Sequence, residues 1–336
     1  MTIQEIEFAC DASQTLDFTR HELEGPELSL RKTFYPMGFP AEVRTNSEEI
    51  LCLFEQAWGG LERRFKTDLI EVHALLTEAE STECPPAPVY RVMQPLLIST
   101  ANAHNYGVVD LDHNRTHITV SRAALRHKRY LRDFFLDSAA TAHIATRHAT
   151  PVHAGCVALD GRGILLCGDS GAGKSSLSYA CARAGWSYVT DDCSFLLNGS
   201  RDRTVIGNSS RVRLRLSAAA LFPEISGLKM TPRATGKPSI EMETANLPHL
   251  TCSETAQADY MIFLNRRGEG PPTLQPYRKD VARYFMRRVL YGSAESLAVQ
   301  YEAIERMLKA EVLELRYSDL DWAVDRLERL LRGRLW

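Results

Sequence analysis

Residues 164–176 read Ile-Leu-Leu-Cys-Gly-Asp-Ser-Gly-Ala-Gly-Lys-Ser-Ser, a short apolar run that opens into G-x-x-x-x-G-K-S. No other stretch of the chain restricts its fold as much. Glycines at 168, 171 and 173 let a backbone curl until its N–H groups point inward at an anion. A helix begun at the lysine adds its N-terminal partial positive charge. In this phosphate-binding-loop pattern Gly168, Asp169, Ser170, Gly171, Ala172 and Gly173 form the cradle. Lys174 reaches the terminal phosphates of a nucleotide, the Ser175 hydroxyl ligates Mg²⁺ and Ser176 completes the helix start. The competing reading is a glycine turn with an accidental Lys-Ser. Context argues against it. Ile164–Cys167 has the continuous apolar character of a buried strand. Leu177, Ala180, Cys181 and Ala184 then recur at helical spacing, and Gly185 stands where a helix would stop.

The remainder of the chain is permissive. Its 336 residues suffice for two domains, and a formal net charge of −2 gives no general attraction to nucleic acid or anionic membrane. No apolar run approaches the roughly 20 residues of a membrane span. The N-terminus is acidic and shows no signal pattern, and the eight cysteines contain no C-x-x-C pair. A cytoplasmic protein is the expectation, with ATP as the nucleotide.

Residues 1–27 are polar and carry no firm expectation of structure. Ser47 predicts a helix cap, with the helix running to about Trp58 before Gly59-Gly60. Short strands are expected near 68–76, 89–99, 105–112 and 115–121, and one long helix over 123–147. The division that follows is an N-terminal α+β region (1–121), a connecting helix (122–150) and a nucleotide-binding part (151–336). In that last part, residues 226–238, with Lys229, Arg233 and Lys237, read as a basic loop.

Two features converge on the loop. The helix after Lys174 leads to a strand at 186–190 that ends in Asp191-Asp192. A strand–helix–strand crossover sets parallel strands side by side or close by, and ligands bind at their carboxyl ends. Either carboxylate could hold Mg²⁺ or accept a proton from a hydroxyl nucleophile. His153 precedes the loop. If Asp160-Gly161 is a two-residue hairpin turn, facing residues sum to 321 and His153 stands opposite Gly168; if the turn falls one residue later, it faces Ser170, and either register sets an imidazole beside the phosphates. His113, His117, His143 and His148 carry no expectation of metal binding.

The stretch Val152-His153-Ala154-Gly155, the run Gly168–Ser175, then Gly185 and Asp191-Asp192 resemble the catalytic domain of the HPr kinase/phosphorylase family. The likeness is specific over about 150–195. It implies an α/β P-loop kinase domain related to phosphoenolpyruvate carboxykinases, and phosphate transfer to a serine hydroxyl. His153, Lys174 and one of the two aspartates would be catalytic. Asp192 would be the proton acceptor and a metal ligand together with Ser175, and Asp191 would support it. The chain departs from the family at Ser210-Arg211-Val212-Arg213-Leu214-Arg215, which has no acid where the family carries a glutamate metal ligand. The basic loop of the phosphorylase reaction has only Lys237 as a candidate substitute. The functional expectation is therefore a Mg-ATP-dependent kinase acting on a serine or other hydroxyl of a protein, peptide or small molecule. Homo-oligomerisation is left open. The alternative is a catalytically silent nucleotide-binding regulatory protein.

Overall fold

The computed structural model describes residues 2–14, 27–78, 83–230, 238–266 and 270–334. The chain is mixed α/β and divides into two units, Met1–Arg147 and His148–Trp336.

The first unit begins with α1 (Ile3–Asp11), where the sequence carried no expectation of structure. A reciprocal capping box between Thr2 and Glu5 starts it. Ile3, Ile6 and Ala9 then fall on one buried face, so a short helix forms despite its polar composition. The sheet consists of β1 (Leu30–Phe34), β2 (Ala41–Thr45), β3 (Ile70–Thr77), β4 (Val89–Met93), β5 (Leu96–Asn102), β6 (Asn105–Asp110) and β7 (Arg115–Ser121). Its strand order is β1-β2-β3-β7-β6-β5-β4. Between β2 and β3 runs α2 (Glu48–Trp58), capped by Ser47, and the two strands pair in parallel as such a crossover requires. The segment expected as one strand over 89–99 is two, β4 and β5, turning at Gln94-Pro95.

The expected long helix over 123–147 is corrected as well. It is α3 (Arg122–Leu125), a break at Arg126-His127, then α4 (Lys128–Leu131) and α5 (Asp137–His143), with π-helical turns at Arg132–Leu136 and Ile144–His148. Ser138, Thr141 and Thr146 each turn their hydroxyl back onto a carbonyl three or four residues earlier, competing for acceptors of the helix ladder. The segment packs on β3, β6 and β7, so it is part of the first unit's own core.

The second unit carries β8 (Ala149–Val152), β9 (Ala154–Leu159), β10 (Arg162–Cys167), α6 (Lys174–Arg183), β11 (Ser187–Thr190), β12 (Ser194–Leu197), β13 (Thr204–Gly207), β14 (Arg211–Leu214), β15 (Ile240–Glu243), β16 (Thr251–Cys252), β17 (Thr255–Asn265), β18 (Thr273–Pro276), α7 (Lys279–Arg287), α8 (Ala294–Met307), β19 (Glu311–Arg316) and α9 (Leu320–Leu331). The main sheet has the order β16-β11-β9-β10-β17-β13-β12-β8, with β19 added on β17 and β18 on β19. β17 serves two neighbours on one side: Thr255–Gln257 pair β13, and Tyr260–Asn265 pair β19.

Both faces of the central strands are covered. Ile164 and Leu166 pack with residues of α6 and α9, whereas Leu165 and Cys167 pack with residues of α7 and α8. Ile164, Leu165 and Leu166 are fully buried, each worth about 1.5–3 kcal/mol relative to exposure. That two-sided burial explains why β10 reads as an unbroken apolar run. The connection β10–α6–β11 is the expected crossover, with β9 lying between the two parallel strands and antiparallel to both.

Candidate active site

The site grows from two short local structures. The first is the β9–β10 hairpin. Asp160 and Gly161 have φ of 51° and 81°, the two positive values of a type I′ turn. Leu159 therefore pairs with Arg162 and Ala154 with Cys167. One step further along this register His153 faces Gly168. The second is the loop itself. Gly168, Gly171 and Gly173 hold φ of 145°, 95° and 105°, and α6 begins at Lys174. Gly173 also admits no side chain on packing grounds, since a Cβ there would stand 2.5 Å from the Tyr317 hydroxyl.

Lys174 is only 6% exposed. Its Nζ donates to the Gly168 carbonyl at 2.7 Å and lies 3.0 Å from His153 Nε2. His153 Nδ1 is 3.6 Å from Asp192 Oδ1. An ammonium, an imidazole and a carboxylate thus form one row at the carboxyl ends of β10 and β11. Burial, then the charge of Lys174, lower the pKa of His153. The imidazole is therefore neutral at pH 7, with Nε2 facing the lysine as acceptor and Nδ1–H directed toward Asp192. Burial also lowers Lys174, and Asp192 is the first charge opposing that shift.

The two aspartates occupy different environments. Asp192 is 42% exposed and opens to solvent beside His153. Asp191 is 4% exposed. It accepts the Arg213 backbone N–H at 3.2 Å and a hydrogen bond from Ser175. Burial, then the neighbouring Asp192 carboxylate, push Asp191 up to about 6. Gly155 allows this crowding, because a Cβ there would meet the Ser178 hydroxyl at 2.7 Å and the Asp191 Cα at 3.4 Å.

The hairpin of β14 and β15 flanks the aspartates. Tyr188 donates its hydroxyl to the Arg211 carbonyl at 2.8 Å, which pins β14 against β11. Acids on β15 face the arginines of β14: Glu241 faces Arg213, with Nε and Oε2 3.1 Å apart, and Glu243 faces Arg211. Arg215 reaches the loop, donating to the Ser170 hydroxyl at 2.8 Å. Lys229 is exposed, and Arg233 and Lys237 lie outside the described residues.

The expected residues His153, Lys174, Ser175, Asp191 and Asp192 therefore lie together around Gly168–Ser176. One residue had no signal in the sequence. Arg288, at the end of α7 and 119 positions from the loop, places Nη1 3.0 Å from Asp169 Oδ1. The residues fit a Mg-nucleotide. Three positive-φ glycines form a concave backbone, and a buried ammonium stands beside it. Among the described residues no group of three or more acids, histidines or cysteines could hold a metal unaided.

No protein-family model matches the chain, and no curated protein matches it. Among solved structures it is similar to the Hpr(Ser) kinase/phosphatase from Coxiella burnetii, at 16% identity and a TM-score of 0.32, covering 55% of this chain and 99% of that one. So distant a likeness identifies neither the family nor the activity. No helix among the described residues is long and apolar enough to cross a membrane.

Proposed function

We propose that residues 148–336 form an ATP-dependent phosphotransferase that moves the γ-phosphoryl group of ATP to a serine or other hydroxyl of a protein, peptide or small molecule. The row Lys174–His153–Asp192, set against the glycine loop, carries this reading. A binding module needs the loop and the lysine. A carboxylate for the metal would serve it too, but the imidazole that joins Lys174 and Asp192 into one row favours transfer over binding alone. Asp192 is placed to take the proton of an acceptor hydroxyl as its oxygen attacks phosphorus, while the bond to the β-bridging oxygen breaks and ADP leaves. Neutral His153 orients Asp192 through Nδ1–H. Its Nε2 holds Lys174 in place, from where the ammonium meets the charge developing on the departing phosphates. Asp191 fixes the Ser175 hydroxyl. Bound Mg²⁺ would supply charge neutralisation at the β- and γ-oxygens, with Ser175 and Asp192 as its protein ligands.

Calorimetric titration with ATP, with and without Mg²⁺, tests the nucleotide half of the proposal. Wild type should bind, and Lys174→Ala should weaken binding at least about tenfold, having lost a buried charge at the phosphates. Equal affinity in the two proteins would sink the assignment. The transfer half is tested by incubating labelled ATP with candidate acceptors. Asp192→Asn should retain ATP affinity within about threefold and lose nearly all transfer, because an amide takes no proton.

A further inference from the structure

Among the described residues, the guanidinium groups of Arg215 and Arg288 hydrogen-bond to side chains of the glycine loop, and they differ in what surrounds them. Arg215 rests on the neutral Ser170 hydroxyl. Arg288 rests on the Asp169 carboxylate, 3.0 Å away, and the carbonyl of the same residue lies 3.5 Å from Lys174 Nζ. Asp169 is thus the loop residue that both cations meet. Its backbone is well anchored. Within α7, Ala282 and Met286 are fully buried. Arg283 grips Glu305 of α8 with two hydrogen bonds of 2.6 and 2.9 Å, and Arg287 joins the same carboxylate at 3.2 Å while lying 4.3 Å from the Tyr301 ring centre. Two of the helix's arginines are thus committed to α8. The third, one residue on, extends to the loop. It makes one side-chain hydrogen bond, and its other N–H groups have no further hydrogen-bond partner among the described residues.

We infer that Arg288 is a catalytic residue of this site, a clamp held on Asp169 until a nucleotide enters and then transferred to the oxygens of the migrating phosphoryl group. The inference rests on the phosphotransferase reading above. Three physical points carry it. The Arg288–Asp169 pair is half to three-quarters exposed, at 53% and 78%, and exposed pairs of this kind are weak and easily exchanged. Asp169 lies within the loop whose N–H groups would take phosphate oxygens, so an incoming polyphosphate repels that carboxylate and competes with it for the guanidinium. A guanidinium has a planar fork that matches phosphate oxygens, and a loose phosphoryl-transfer transition state spreads charge over three of them. An arginine fixed at its backbone and held at its tip by one exposed pair suits that exchange.

The probe is ADP with Mg²⁺ and aluminium fluoride, which mimics the migrating phosphoryl group and needs no acceptor. Wild type should bind MgADP, and fluoride should tighten that binding at least about a hundredfold. Arg288→Ala should keep MgADP affinity within about threefold and lose at least about tenfold of the fluoride-dependent tightening. Arg288→Lys should fall between them, since it keeps the charge without the fork. Three results would overturn the clamp: full tightening in Arg288→Ala, loss of plain MgADP binding in that variant, or wild type that binds MgADP and gains nothing from fluoride. Wild type that does not bind MgADP at all would instead remove the phosphotransferase reading, so the two failures are distinguishable. Arg288 is exposed, and an unchanged melting curve for Arg288→Ala shows that folding is not the cause.

Discussion

Removing one carboxylate should make this protein more stable and less active. Asp191 is buried, and its carboxyl is raised from 3.8 to about 6 by burial and by Asp192. The folded state therefore holds a proton on Asp191 more tightly than the unfolded state does. For a raised acid, the associated stability is complete below 3.8 and is lost as pH rises through 6. The shift of about two units corresponds to about 3 kcal/mol once Asp191 is fully ionised. Asparagine has nearly the same shape, stays neutral and still accepts the Arg213 N–H. Without metal or nucleotide, Asp191→Asn should therefore gain about 3 kcal/mol over wild type at pH 8 and about half as much at pH 5. The assay is urea unfolding of the full chain in a chelating buffer at pH 5, 6.5 and 8, beside phosphoryl transfer at pH 8, which should fall, though less than in Asp192→Asn. A variant less stable than wild type by the same amount at every pH would refute the reasoning. It would mean that the Asp191 hydrogen bonds outweigh the cost of its buried charge, and that the residue is structural.

Further outcomes are expected elsewhere in the chain. His117 in the first unit is driven down to about 4 by burial and then by His73, so its contribution is complete above 6.5 and is lost as pH falls through 4. His117→Gln should consequently erase about 2 kcal/mol of acid destabilisation between pH 7 and 4.5, read as a smaller loss of unfolding free energy than in wild type. Gly173→Ala combines a φ of 105° with a Cβ 2.5 Å from the Tyr317 hydroxyl, and should cost at least about 2 kcal/mol in denaturant and abolish ATP binding. Phosphorolysis should be inefficient, because the basic loop of the phosphorylase reaction has no clear match in this chain and Arg213 is engaged by Glu241. Pyrophosphate released from phosphorylated acceptor, Mg²⁺ and millimolar-range phosphate at a rate near that of the forward reaction would contradict this.

What could be read from the sequence is what neighbouring residues decide among themselves. A strand that must become a helix within nine residues needs glycines at 168, 171 and 173. The Asp160-Gly161 turn sets its own register, so the place of His153 opposite the loop follows from arithmetic. The Asp191-Asp192 pair follows from crossover geometry, although nothing local shows that β9 lies between the two parallel strands. Where reading failed, it failed for stated causes. The helix α1 is too short for a strong apolar period, yet its Thr2–Glu5 capping box was present as a signal. At the π turns the Ser138 and Thr146 hydroxyls take up carbonyls of the helix ladder, a balance that periodicity does not register. Arg288 is the informative miss. Nothing in Met286-Arg287-Arg288 separates the arginine bound to α8 from the one that reaches the loop. The difference is made by sheet order, which lays β17 beside β10 and brings the helix after β18 over the face opposite α6. Loop chemistry is therefore local and legible, whereas the charge that completes it is delivered by topology. For this reason the Arg288 experiment examines more than the motif could state.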